Sequence, residues 1–376
     1  MKKIFLSIFL LIFVGTILGL TLRGISGNPT EKTLNSGIWG DNGPFELSPD
    51  RGRFALTLSY AENHSFYFSL PIAKFATPDL GTANGKYVSL FAPAVSFIVI
   101  PGYLLGKIFG LAQVGTFAII SLFALCNFFL VRACAKIIGA NTTAATISAL
   151  IFSFATPAFP YGVTLYQHHI STFLILATLY ILLRWKNWIS LSIVWFLFAA
   201  SIPVDYPNLI LMLPLALFAT GRIFYIKMGT NALRVHIKPL YFLTTLTVLL
   251  PLLFYVWFSQ NSYGKPFQLA GTVQGVRTIE LQKKPAPVKK IDDTTLSKTS
   301  QKEKTAVGFF ITRNLLNGFY IHVFSPDRGV IFYTPIMLFG ILGGVFMWRK
   351  KQTELALITG VIGADIVLYS MWGDPW

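Results

Sequence analysis

The run Ser48-Pro49-Asp50-Arg51-Gly52-Arg53 sets one carboxylate beside two guanidinium groups. A carboxylate within reach of a hydroxyl can take its proton, and guanidinium forks match phosphate oxygens in a way a point charge cannot. Together they suit attack by a hydroxyl with departure of a phosphate. A plain structural role fits the same residues. Ser-Pro-Asp is a helix start, with the acidic group favourable at the positive end of the helix. Phe54, Leu58 and Ala61 continue it as an apolar stripe, so the segment also reads as a capped amphipathic helix on a membrane surface. Around it, Asp41, Glu46, Glu62, His64, Asp79 and Lys86 make residues 41–87 dense in polar groups.

Further along, His168 and His169 open an apolar run. Adjacent histidines point about 100° apart on a helix, so the pair does not suit one metal ion. The chain has no HExxH motif and no spaced Cys/His set, so a polar contact in a cavity is expected there and a metal is not. Asp205 lies in the turn Pro203-Val204-Asp205-Tyr206-Pro207. Asp365 falls inside the last apolar run, where an ionisable group is costly and functional by default. Cys126 and Cys134 share one apolar segment and read as small packing residues without redox or metal work.

The elements that must position these groups are membrane helices. Hydrophobic residues make up 54% of the chain and charged residues only 12%, against about 25% charged in soluble domains. Long unbroken apolar runs fit helices rather than the alternating segments of a barrel. They fall at 4–22, 88–110, 114–135, 141–158, 168–184, 187–202, 204–221, 239–258, 328–347 and 353–371, each near the ~20 residues of a spanning helix. The first is expected to be uncleaved, because no small-x-small site precedes the polar Arg23–Gly27 stretch. The net charge of +16 does not call for a nucleic-acid partner, because many of the cations flank apolar runs, where they orient helices.

Parity follows from those cations. If 88–110 does not cross, then Lys2, Lys3, Arg132, Lys136, Arg184, Lys186, the Arg222–Lys238 loop and Arg349-Lys350-Lys351 share one side. If it does cross, most of them face outward. The positive-inside rule therefore favours nine crossings with a cytoplasmic N-terminus, and an interfacial helix at 88–110. The expected fold is an all-α polytopic membrane protein forming one domain over 1–376. Its external face receives 24–113, the 159–167 turn, the 202–206 turn, 259–327 and the end of the chain from Trp372. Within 259–327, residues 277–304 read as a mobile hydrated loop, and Ala306–Phe324 as a second interfacial helix.

This order of elements, with its local patterns, resembles the GT-C superfamily of polytopic glycosyltransferases, in the broad protein mannosyltransferase and aminoarabinose transferase class. Asp50-Arg51-Gly52-Arg53-Phe54-Ala55 is similar to the acidic start of that family's first external loop. Gly85-Lys86-Tyr87-Val88-Ser89-Leu90-Phe91-Ala92-Pro93 resembles its G-K/H-Y-Y-S-x-x-P-P stretch, and Tyr263-Gly264-Lys265-Pro266 and Phe324–Pro335 resemble later segments. Two departures stand out: Asp50-Arg51 replaces an Asp-Glu pair, and Ala92 or Ala94 replaces the second proline. Relatives continue past a Trp-Gly-rich segment into further helices, so a fragment is expected here.

The resemblance implies inverting transfer of a sugar from a polyprenyl-phosphate donor to an acceptor hydroxyl on a protein, lipid or glycan. The reaction would occur on the external face of the plasma (inner) membrane, with membrane lipids around it and no cofactor beyond the donor. Asp50 is the expected base. Arg51, Arg53 and Lys86, with Arg328 as a weaker candidate, are expected phosphate contacts, and His168 and Asp205 are expected to line the acceptor or sugar cavity. Two other readings stay open: a polytopic transporter or lipid-sugar flippase, and a non-catalytic envelope-assembly scaffold.

Overall fold

The computed structural model describes residues 2–40, 43–45, 47–228, 233–276, 279 and 306–372, and these are mostly helical. Asp41, Glu46, nearly all of the 277–304 loop and the last four residues lie outside the described residues, as do the side chains of Lys2, Lys3, Lys227 and Arg234. The chain opens with α1 (Lys2–Thr21). A long excursion then holds α2 (Ser48–Asn63), α3 (Leu70–Ala76), a hairpin of β1 (Leu80–Ala83) and β2 (Lys86–Ser89), α4 (Ala94–Ile98) and α5 (Ile100–Ile108). Next come α6 (Ala112–Ile137), α7 (Thr142–Phe154), α8 (Ala158–Tyr161), α9 (His168–Arg184), α10 (Trp188–Ser201), α11 (Asn208–Leu211) and α12 (Leu213–Ile223). A hairpin of β3 (Phe224–Met228) and β4 (Leu233–Ile237) leads to α13 (Pro239–Leu243), which runs through a 3-10 turn into α14 (Leu249–Tyr263). The chain closes with β5 (Gln274–Val276), α15 (Leu315–Phe324), α16 (Val330–Tyr333), α17 (Met337–Met347) and α18 (Gln352–Ser370).

Among the described residues, four helices are long and apolar enough to cross a membrane: Ile4–Thr21, Ala112–Ile137, Pro239–Tyr263 and Gln352–Ser370. Six further apolar helices among the described residues run to only 10–17 residues. Proline accounts for much of the shortening, since it removes a donor and disfavours helix at the residue before it. Pro214 falls beside the break between α11 and α12, and Pro335 separates α16 from α17. The 88–110 run, expected as one interfacial helix, is instead a strand end followed by α4 and α5, which meet at Val99 just before Pro101. Ala94–Ile108 extends roughly 22 Å at ~1.5 Å per residue, short of a ~30 Å hydrocarbon core. Likewise, only Leu315–Phe324 of the expected 306–324 helix is α-helical.

The all-α expectation needs two small corrections. β1, β2 and β5 form an antiparallel sheet that pairs Leu80 with both Ser89 and Val276, and β3 pairs with β4. The first hairpin turns at Asn84-Gly85, both at positive φ, which is the turn chemistry a tight hairpin requires.

Hydrogen bonds gather the connecting segments at two ends of the bundle. At one end, the exit of α1 is stitched to the start of α6. Gly27 N donates to Gly110 O (2.6 Å), Gln113 Nε2 to Arg23 O (3.1 Å), and Asn28 Nδ2 to Lys107 O (3.0 Å). The 159–167 turn joins them through Ser121 Oγ to Gly162 O (2.7 Å), and the 202–206 turn through Ala94 N to Pro203 O (2.8 Å). At the other end, Arg222 donates to the carbonyls of Trp185 and Leu182, and Lys351 Nζ to Ile137 O (3.3 Å). α5 reaches α6 through Gly102 and Gly106. A Cβ at Gly102 would overlap the Gly115 carbonyl, and one at Gly106 would overlap that of Leu111. This is a small-xxx-small contact of the kind membrane helices use.

α2 is not the surface helix that its apolar stripe suggested. Gly52 through Ser59 are all buried, because the helix is covered on every side. Phe45, Phe54, Phe75 and Phe117 form one aromatic cluster around it, with Phe45–Phe54 centroids 4.5 Å apart and Phe45–Phe117 5.6 Å apart. Rings packed edge to face in this way add to the area they bury.

Candidate functional site

Asp50 lies in the first turn of α2 and Arg53 one turn on, so the two share a helix face. Both are buried, at 1% and 5% exposure. Ser48 does not cap the helix; its hydroxyl donates to Asp79 Oδ2 at 2.5 Å, which ties the start of α2 to the segment leading into β1. The next turn of α2 is clasped to α4: Ser96 Oγ donates to Arg53 O, and Thr57 Oγ1 to Ser96 O, both at 3.0 Å. Gly52 has a steric role. A Cβ there would overlap the Phe91 ring, which instead closes over the Arg53 guanidinium at 4.8 Å.

The guanidinium is held from several sides. It donates to Leu165 O (3.3 Å) and to Gln167 Oε1, and the Tyr166 ring lies 5.5 Å away. Gln167 turns its amide nitrogen to Asp205 Oδ2 (3.1 Å), bridging the cation to a second carboxylate. Burial lowers the Arg53 pKa below the usual arginine range, while the Asp50 and Asp205 charges pull it back up. Burial likewise raises Asp205, against the Gln167 hydrogen bond and the Arg53 charge. Tyr166 is pushed up to about 12, by burial first and the Asp50 charge second. Chain segments far apart in sequence thus close on one arginine.

Of the residues singled out from sequence, Asp50, Arg53 and Asp205 come together. His168 joins through Tyr166, stacked at 5.5 Å and 11°, with Tyr161 edge-on at 4.5 Å. The neighbouring His169 faces elsewhere. Its Nε2 meets Ala158 O (2.7 Å), which can only accept, so Nδ1 accepts from Asn127 Nδ2 (3.2 Å). The two rings diverge as adjacent helical positions must.

Arg53 donates to Leu165 and Gln167, with the Phe91 and Tyr166 rings over its guanidinium. Lys86 sits exposed beside the hairpin tip with its ammonium 4.2 Å over Tyr67, and Arg328 is exposed in the turn after α15. Arg51 is half-buried in the first turn of α2. Sequence reasoning missed Gln167, Phe91 and Tyr166. Gln167, the residue before the histidine pair, carried no signal beyond being polar at the start of an apolar run.

α18, which carries Asp365, packs against α15, which carries His322. α15 can approach α18 this closely because Gly318 abuts the Ser370 backbone, where any Cβ would overlap. Comparison with protein-family models, with curated proteins and with solved structures finds no match for this chain.

Proposed function

We propose that the protein is a membrane glycosyltransferase that moves a sugar from a polyprenyl-phosphate donor to an acceptor hydroxyl, with Asp50 as base. One observation carries the reading. Asp50 and Arg53 are buried where the first long loop meets two interhelical turns, and Gln167 bridges Arg53 to the half-buried Asp205. Desolvating such charges is costly, and clusters of this kind concentrate at functional sites. In the proposed step the acceptor oxygen attacks the anomeric carbon as its proton passes to the Asp50 carboxylate. The bond from that carbon to the phosphate oxygen breaks, the lipid phosphate leaves as an anion, and the sugar carbon inverts. Arg53 supplies a positive charge near Asp50, and Arg51 is the guanidinium assigned to the departing phosphate. Since Asp50 is buried, donor binding must open the contacts around it.

On this reading the cluster end faces away from the cytoplasm of a cell whose plasma (inner) membrane holds the protein, and the basic end faces it. The bonds between the exit of α1 and the start of α6 support the parity that leaves 88–110 uncrossed. The test is sugar release from a panel of radiolabelled polyprenyl-phosphate donors in lipid, comparing wild type with Asp50→Asn. Loss of about 10²–10⁴ in turnover with folding retained is expected. Equal turnover removes Asp50 as base, and no reaction with any donor removes the enzyme reading.

A transporter is the second reading, favoured by Asp365 within the apolar helix α18 and by the packing of α15, with its His322, against that helix. Uptake into proteoliposomes that vanishes in Asp365→Asn would favour it over the transferase.

A further inference from the structure

The opposite end of the bundle holds a different kind of feature. α6 and α9 end side by side there, and a groove of about 370 Å³ opens between them, lined by Lys136, Tyr180 and Arg184 together with Ala133 and Ile137. Trp185 packs edge-on against Tyr180 with centroids 5.5 Å apart, which holds the phenol at the rim. Lys351, ion-paired with Glu354 at 3.1 Å, bonds the carbonyl of Ile137 beside the same opening.

A second groove, of about 440 Å³, lies between α1 and α6, lined by Ile4, Ser7, Ile8, Leu11 and Phe129. Phe129, Ala133 and Lys136 recur at i, i+4 and i+7, so both grooves lie along one face of α6. Phe129 is about 10 Å further from the basic end, at ~1.5 Å per residue. Cations at a rim above an apolar slot match the shape of an anionic amphiphile.

Cations at helix C-termini have simpler uses. They complement the helix dipole and fix helix orientation. Neither use calls for a recess between the helices. A basic pocket between helices is, by contrast, what binds acidic lipid headgroups.

We propose that the groove between the ends of α6 and α9 binds one anionic phospholipid, its phosphate between Lys136 and Arg184 and an acyl chain along Phe129. The site is independent of the transferase reading and lies at the other end of the molecule. Each cation near an anionic headgroup contributes enough that losing both weakens binding about thirty-fold.

Native mass spectrometry of the full chain in detergent, titrated with phosphatidylglycerol or phosphatidylcholine, tests it. Wild type should retain one phosphatidylglycerol in preference to phosphatidylcholine. Lys136→Gln/Arg184→Gln should lose that preference, and inorganic phosphate should not displace the lipid. Equal retention of the two lipids by wild type, or unchanged phosphatidylglycerol binding in the double variant, overturns the proposal. So does displacement by inorganic phosphate, which would make the groove a free-anion site. If the double variant does not fold, Ala133→Trp serves instead. It fills the groove without touching a charge, and must also abolish the preference.

Discussion

The two ends of the bundle use charge in opposite ways. At one end Asp50 and Arg53 are withdrawn from water, and Gln167 links Arg53 to Asp205 across loops far apart in sequence. At the other, Lys136, Arg184 and Lys186 stand exposed at the ends of α6 and α9. Exposed cations need little from the fold. Buried ones need partners placed to within a hydrogen bond, since a lone desolvated charge costs several kcal/mol.

Removing the arginine should break this contrast most visibly. Arg53→Met leaves Asp50 buried beside an apolar side chain, strands the Gln167 amide that links it to Asp205, and should destabilise the protein by about 3–5 kcal/mol. Arg53→Lys keeps the charge but loses the fork that reaches both Leu165 and Gln167, and should fall between. The matching change at the basic end, Lys186→Met, should stay within about 0.5 kcal/mol. Thermal unfolding of the purified variants in one detergent measures all three. A loss at Lys186 as large as that at Arg53 would erase the distinction between the ends.

A steric change sharpens the same point without touching a charge. Gly52→Ala should push the Phe91 ring off the guanidinium and cost about 1–3 kcal/mol, although alanine is by itself the better helix former by roughly 0.5–1 kcal/mol. In a Phe91→Ala background the clash is gone, so the same substitution should become neutral or stabilising. A double-mutant cycle on unfolding free energies reads the coupling directly. Simple additivity would mean that Gly52 is not what lets Phe91 close over Arg53.

Much of this arrangement was legible in sequence because hydropathy and charge are local. The apolar runs at 168–184 and 353–371 are α9 and α18 almost residue for residue, and the basic clusters mark one end of the bundle. Asp50 was legible as the acidic residue of a helix start. The burial of α2 was not, because its cover comes from Phe45, Phe75 and Phe117, which are remote or interrupted in sequence. The hairpin was legible in principle, since Asn84-Gly85 is a turn signal, whereas the pairing of β1 with β5 spans nearly two hundred residues and leaves no local trace. Gln167 is the plainest limit. Nothing in its neighbours says that one amide will face a cation with its oxygen and a carboxylate with its nitrogen.

The smallest effect expected asks whether burial, rather than charge content, separates the ends. Glu62, near the far end of α2, accepts from Lys107 Nζ and Tyr103 OH, all at 2.7 Å. Burial alone would raise its carboxyl, but the Lys107 and Tyr103 hydrogen bonds outweigh it and hold the pKa below the ordinary value. A group lowered in this way stabilises the fold above its unfolded pKa, near 4.3, and loses that contribution as pH falls through the lower folded value. The side chains of this pair are 42% and 32% exposed, so solvent screens it and the contribution should stay under about 1 kcal/mol. The stability difference between wild type and Glu62→Gln should therefore be small at neutral pH and shrink toward zero in acid. A difference of several kcal/mol, or one that grows as pH falls, would place Glu62 with the buried cluster and move the boundary between the two regimes along α2.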